Sequence, residues 1–372
     1  MIKVCHMTSA HGEEDVRIFH KECVSLAKAG YDTYLVERGE SREKNGVHII
    51  GVGEIPKSRR KRMTEGAKKV YETAKSLDAD IYHFHDPELL PYGLKLKRAG
   101  KKVVFDRHEN YTLQLRHKPY LPAWLSCFVS VGYDVYERFA LRRLDGLVIP
   151  TSTLENCAGA DRCKRCAAVD NAAILSELYE LYDPAAPKRA DSVCYVGGLT
   201  EGRGITVDVL AAEKAGATLL LAGAFSSPEY QQKLECLSAY SHVDYRGVQD
   251  RAGVRALLAE SMIGLSTLLD RGQYAKMLNL PIKAYEYMSM ALPVIFSHSP
   301  YNDRFVERYR CGICVDPENV DEIADAIRYL LDHPDEAREM GENGRRAIKE
   351  EFNWGVEEKK LLALYEDILN EK

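Results

Sequence analysis

From Ile2 to Val315 the chain alternates short apolar runs with longer amphipathic stretches. A strand-length apolar run followed by a helix-length amphipathic one, repeated many times, is the pattern of parallel sheets covered by helices on both faces. Ile2–Met7, Thr33–Val36, His48–Val52, Ile81–Phe84, Val103–Phe105 and Leu147–Pro150 read as strands. Between them, Asp15–Ala29, Lys57–Leu77, Pro87–Ala99 and Trp124–Arg143 carry helical periodicity, and Gly30 and Gly100 stand where helices stop. "LYDPAAPKRADS", residues 181–192, breaks the alternation with prolines and charges and reads as an interdomain linker. The pattern then restarts with strands Val193–Val196, Thr218–Leu221, Val243–Tyr245, Ile263–Ser266, Val294–Phe296 and Ile313–Val315. A chain of 372 residues is too long for one ordinary core. The expectation is two doubly wound α/β domains, with ligands beyond the C-terminal ends of the strands in a cleft between them.

Charge and composition narrow the function classes. The 51 basic and 56 acidic residues give a net charge of −5, so no global field favours nucleic acid. No apolar run approaches the roughly 18 residues of a membrane span. "MIKVCHM" is strand-like and lacks the basic-then-apolar layout of a signal peptide, which points to the cytoplasm. Ten cysteines in a chain of this length read as reduced thiols. The Cys163/Cys166 and Cys311/Cys314 pairs fall in different expected domains, too far apart in the chain pattern for one four-thiolate zinc site.

Five strings carry possible chemistry. "VGGLTEGRG", 196–204, is a Gly-rich turn between strand and helix, suited to close backbone approach to a phosphate. It has Arg203-Gly204 where a P-loop needs Lys and Ser or Thr, so ATP hydrolysis is excluded, while Arg203 offers a planar fork to a diphosphate. "IYHFHDPELL", 81–90, puts His83 and His85 on one face of a strand with Asp86 and Glu88 following. That string suits either a metal site or a strand-to-helix turn in which Asp86 caps the helix. "VVFDRHENY", 103–111, brings His108 to a strand's C-terminal end. "TSAHGEEDVRIFHKE", 8–22, is a long polar loop whose His11, Gly12, Asp15 and Arg17 either line the same cleft or serve as a cap and an internal ion pair. "LPIKAYEYMSMALPVIF", 280–296, embeds only Lys283 and Glu286 in an apolar helix and strand, with Ile282, Tyr285, Met288 and Leu292 free to pack inward. The two charges are either a simple i,i+3 pair or a ligand grip.

Together these strings, with "FNWGVEEKKLLALYEDIL" near the C-terminus, resemble glycosyltransferase family 4, the retaining nucleotide-sugar enzymes, and within it the branch that builds bacterial capsule, exopolysaccharide or lipopolysaccharide. The resemblance implies a GT-B fold: two Rossmann-like doubly wound domains facing across a cleft. It places an acceptor-binding domain at 1–180, a nucleotide-sugar-binding domain at 193–352, and a last helix, 353–372, returning toward the first. It also implies roles. His108 matches the cleft histidine at the transferred sugar and is the expected catalytic residue. Gly12, Gly198, Arg203, Val248, Lys283 and Glu286 would hold the donor, Glu286 at the ribose hydroxyls and Val248 near the base. His11, Asp15, Arg17 and Asp86 would meet the acceptor. The sequence departs from the family pattern at Leu278, where the first acid of a paired-glutamate motif belongs, and at Gly198, where a basic residue is common.

The reading is transfer from a nucleoside diphosphate sugar to a hydroxyl of a growing, lipid-linked glycan, with no metal cofactor and no nucleic-acid partner. Two rivals stand beside it: a metal-dependent hydrolase built on His83, His85 and Asp86, and a silent partner subunit suggested by Leu278 and Gly198. A basic segment, "PKSRRKRMTEGAKK" at 56–69, and the aromatics Tyr120, Trp124 and Phe128 suggest peripheral contact with the inner face of the cell membrane.

Overall fold

The structure, a computed structural model, describes residues 1–56, 58–116, 123–151, 157–269 and 278–370. The chain divides into two compact units, Met1–Asn171 with Gly355–Lys372, and Ala172–Trp354. The crossings therefore fall at 171/172 and 354/355, and the segment expected as a linker, 181–192, lies inside the second unit.

In the first unit β1 (Lys3–Met7), β2 (Asp32–Glu37), β3 (Arg42–Lys44), β4 (Val47–Gly51), β5 (Ile81–Phe84), β6 (Lys102–Asp106), β7 (Gly146–Ile149) and β8 (Cys166–Ala168) form one sheet in the order β3-β4-β2-β1-β5-β6-β7-β8. Every pairing is parallel except β3 with β4. Period-two alternation divides the central strands between two faces. Cys5, Met7, Tyr82, Phe84, Val103 and Phe105 pack on one face with Ala67, Val70, Leu90 and Leu94 of the covering helices. Leu35, Val47 and Ile49 meet Ile18, Phe19 and Cys23 in a smaller cluster. His6 and His83, directly opposite in register, sit on the strand positions between the apolar ones and so share a face. The last helix, Trp354–Leu369, lies over β7 at Gly146, where a Cβ would stand 2.8 Å from Ile368 Cδ1. Glycine there is what lets the helix come close.

The second unit holds β9 (Ser192–Val196), β10 (Thr218–Ala222), β11 (Val243–Tyr245), β12 (Ile263–Ser266), β13 (Val294–Ser297) and β14 (Gly312–Val315), in the order β11-β10-β9-β12-β13-β14. All these pairings are parallel. Leu219 and Leu221 face one core and Leu220 and Ala222 the other, so the near-continuous apolar runs serve both faces of a covered sheet. The order reverses at β9/β12, the kind of point where open α/β sheets bind ligands.

Candidate functional site

In the second unit the Gly-rich turn follows β9. Gly197 has φ of 142° and Gly204 φ of 80°, and a Cβ at Gly204 would meet the Thr267 carbonyl oxygen at 2.3 Å. At Gly204 a side chain is excluded by the backbone itself. Arg203 folds back over the turn, its Nη1 3.5 Å from the Gly198 carbonyl oxygen, and a Cβ at Gly198 would approach that nitrogen to 3.2 Å. The helix Ile205–Ala215 starts at once after Gly204, with its free N–H groups at this end.

Lys283 occupies the first turn of helix Ile282–Ser289. Its residue is 8% exposed, its Nζ has no hydrogen-bond partner among the described residues, and the ammonium stands 3.8 Å from the centroid of the Tyr195 ring. A cation–π contact returns part of the lost hydration but is no substitute for an anion. Burial first, then the neighbouring Arg203 charge, push the Lys283 pKa well below the usual lysine value, while Asp208 and Glu286 oppose them. Asp208, fully buried, has its own pKa raised to about 7 by burial and accepts a hydrogen bond from Thr267 Oγ1 at 2.5 Å.

The simple pair between Lys283 and Glu286 does not form among the described residues. Glu286 Oε1 instead accepts from Arg251 Nη1 at 2.6 Å, and Arg251 Nη2 reaches Glu177 at 2.5 Å. Tyr285, Met288 and Leu292 pack inward as expected, whereas Ile282 is 42% exposed and Tyr287 is also fully buried, its hydroxyl accepting from the Val196 N–H. The ring of Tyr287 fills the space that the missing side chain of Gly264 leaves. Val248 is exposed beside Gly247, whose φ is 68°. Leu278 is half-buried.

The first unit collects the histidines. Asp86 does not cap its own helix. Its Oδ2 accepts from Thr8 Oγ1 and from the N–H groups of Ser9 and Ala10, and its Oδ1 lies 3.2 Å from His11 Nδ1. Burial alone would raise the Asp86 pKa, but His11 and the loop donors hold it down at about 2. Burial would lower the His11 pKa, and Asp86 more than offsets that and raises it. The rings of His11 and His108 lie 4.6 Å apart between centroids, so the two histidines share one partly exposed corner. His108 Nε2 sits 3.1 Å from both His85 Nδ1 and Asp106 Oδ2.

Arg17 is a correction. It is buried and spent internally, giving Nε and Nη2 to Asp106 at 2.8 and 3.1 Å and Nη1 to the Val169 carbonyl at 3.0 Å. It is thereby removed from the expected acceptor surface and acts as a strut. Asp15 likewise caps the helix, accepting from the Arg17 and Ile18 N–H groups at 2.9 and 3.1 Å. Gly12 is half-buried near Arg38.

The metal-like string is rearranged too. Asp86 and Glu88 turn away, and His83 and His85 are joined instead by His6 and Glu22, one ligand atom from each lying within 4.8 Å of the others. Sequence reading missed Tyr195, Asp208, Arg251, His6, Glu22 and Tyr365. Asp208 carried one signal, an acid four residues past Gly204 on a helix otherwise apolar around it.

Comparison with known proteins agrees with both halves. The family model described as Glycosyltransferase Family 4 matches residues 17–160, and that described as Glycosyl transferases group 1 matches residues 191–333. Over 112 residues the chain is 33% identical to an MMP alpha-(1->4)-mannosyltransferase of Mycolicibacterium hassiacum, a stretch covering 30% of this chain and 26% of that protein. The chain thus spans about a quarter of the length of that curated relative. Sucrose-phosphate synthase from Thermosynechococcus elongatus superposes over 100% of both chains with TM-score 0.75 at 18% identity. HepE of Anabaena, solved in complex with UDP, superposes over 98% of this chain and 99% of its own with TM-score 0.67 at 15% identity. These likenesses establish the GT-B fold, with its two Rossmann-like domains.

Proposed function

We propose that this chain, which belongs to glycosyltransferase family 4, moves a sugar from a nucleoside diphosphate donor to a hydroxyl of a growing glycan with retention of anomeric configuration. The observation that carries the donor half is the buried Lys283 ammonium, without a hydrogen-bonding partner among the described residues, next to Arg203 and beside a turn whose backbone excludes a side chain at Gly204. A diphosphate is the anion that such a site lacks. Arg203, Lys283 and two helix N-termini supply the positive charge, so in this reading the transfer step uses no divalent ion.

Glu286, oriented by Arg251, accepts the ribose hydroxyl protons. His108 contacts the transferred sugar and His11 and Asp86 stand on the acceptor side. The leaving diphosphate takes the acceptor proton as the hydroxyl attacks from the same face. Cell-surface polysaccharide synthesis is the setting that the family branch suggests.

A thermal-shift panel of nucleoside diphosphates and their sugars tests this reading, because a ligand that binds only the folded protein raises the melting temperature. One base should stand out, and Glu286→Ala should bind its donor about ten- to a hundredfold more weakly, the worth of a charge-assisted hydrogen bond of about 1.5–3 kcal/mol. Loss of the half-exposed Arg251 partner should itself cost little stability. A panel without any shift would overturn the donor assignment.

The acceptor is proposed to be lipid-linked and met at an anionic membrane surface. No helix among the described residues is long and apolar enough to cross a membrane. Helix Ala123–Leu141 does carry an exposed apolar stripe, Phe128, Val131, Val135 and Phe139, at spacings that keep one face. Arg59 donates to the Tyr111 hydroxyl at 2.6 Å, and the Tyr111 ring packs on Tyr133 of that helix, so the basic segment stands beside it. Tyr120 and the Trp124 side chain lie outside the described residues.

Arg59 and Arg62 are used internally, Arg62 toward Glu88 at 3.3 Å, whereas Arg60, Lys61, Lys68 and Lys69 are exposed. Replacing those four exposed residues with Ser should abolish pelleting with anionic liposomes, at about 1 kcal/mol per cation near the surface. Binding of the parent protein should fade as salt screens the charges. Pelleting indifferent to salt and to these substitutions would remove the membrane from the proposal.

A further inference from the structure

Between the sheet of the first unit and its covering helices lies a buried polar layer, behind the corner that holds His108 and joined to it through His85. We propose that His6, Glu22, His83 and His85 hold one structural divalent transition-metal ion, of the zinc class, inside the first unit. All four residues are fully or almost fully buried, and their ligand atoms lie within 4.8 Å of one another. Metal bonds of about 2.1 Å in a tetrahedron place ligand atoms about 3.4 Å apart, within reach of small ring rotations from this arrangement.

Two observations independent of the clustering point to an occupant. Both carboxylate oxygens of Glu22, and His83 Nε2, are buried without a hydrogen-bond partner among the described residues. Arg17 Nε is 3.2 Å from Glu22 Oε1, but it donates to Asp106 Oδ2 at 2.8 Å, so the arginine charge is already matched by Asp106. Orphaned buried polar atoms of this kind are rare and call for a partner. The surrounding groups also have the layout of an outer shell. His85 Nε2 faces His6 Nδ1 at 3.0 Å, while its other nitrogen lies 3.3 Å from Asp106 Oδ2. The Tyr365 hydroxyl bridges His6 Nε2 at 3.2 Å and His83 Nδ1 at 2.8 Å. Ring nitrogens turned away from a metal are held in this way by a carboxylate or hydroxyl, which fixes tautomer and orientation.

Three neutral imidazoles and one carboxylate suit zinc, nickel or cobalt better than calcium or magnesium, which prefer all-oxygen sets. With four protein donors and no exposure, the ion would be structural and would tie strands β1 and β5 to the helical turn carrying Glu22.

The full chain, dialysed without added metal, should contain about one such ion as measured by plasma mass spectrometry. Glu22→Gln and His83→Gln should each lose the ion and melt at lower temperature. Protein produced with cobalt should show the visible absorption of a tetrahedral centre, a readout that stands even if the variants do not fold. Transfer activity in brief exposure to chelator should persist, because the ion is enclosed by buried ligands and is not exchanged on that timescale. Protein free of metal that takes up neither zinc nor cobalt would overturn the site. So would an ion retained equally by both variants.

Discussion

Replacing Lys283 with Met is expected to raise the melting temperature of the ligand-free protein while weakening nucleoside diphosphate binding about ten- to a hundredfold. The two effects have one cause. The Lys283 ammonium is buried, has no hydrogen-bonding anion among the described residues and sits near the Arg203 charge. Removing an uncompensated buried charge while keeping an unbranched stem of similar length relieves the unliganded fold. The same removal deletes a phosphate contact. The sign of the pH effect follows from the lowered pKa. Between the folded value and the unfolded one the unfolded chain holds more protons, so the stability of the ligand-free protein rises with pH across that window. Lys283→Met should flatten this alkaline rise, and calorimetry in matched buffers reads it directly. A variant that melts lower and binds donor as well as its parent would show that Lys283 serves packing alone.

His108→Ala is expected to cut turnover about a hundredfold or more while leaving donor affinity nearly unchanged, the mark of a group that acts on the reacting sugar. Its setting gives the reason. Asp106, itself fixed by two bonds from Arg17, and His85 both stand 3.1 Å from His108 Nε2, and His11 packs against its ring. Steady-state kinetics with saturating donor separate the outcomes. Unchanged turnover would move the reaction centre away from this corner.

Much of the architecture was legible because it repeats. Twelve of the strands lie where apolar runs alternate with amphipathic ones, and their covered faces follow from period-two and helical patterning. The two strands missed, Arg42–Lys44 and Cys166–Ala168, are three residues long and stand at the two edges of the first sheet. Arg42–Lys44 is polar, as an edge strand that meets water commonly is, and Cys166–Ala168 is apolar but too short to stand out as a run.

The site was legible residue by residue but not in its pairings. His11, Arg203, Lys283 and Glu286 stood out as polar groups in apolar or Gly-rich surroundings. That Glu286 would take Arg251 and not Lys283, or that Arg17 would vanish into Asp106, depends on contacts 35 and 89 residues apart. Local spacing carries no information about such partners. The widened helical turns over Val16–Cys23 add to this. They bring residues five apart onto one side, so Arg17 and Glu22 meet where ordinary helical spacing would have separated them.

The helix Trp354–Leu369 belongs to the unit that begins at Met1, and its Tyr365 hydroxyl reaches His6 and His83. During synthesis, therefore, the first-made half of the chain cannot close its buried polar layer when its own strands emerge. The second unit, continuous in sequence from 172 to 354, can finish folding before the first does. Domains of a nascent chain usually fold in the order in which they leave the ribosome. Here the first unit waits for its last helix until the whole of the second has been synthesised.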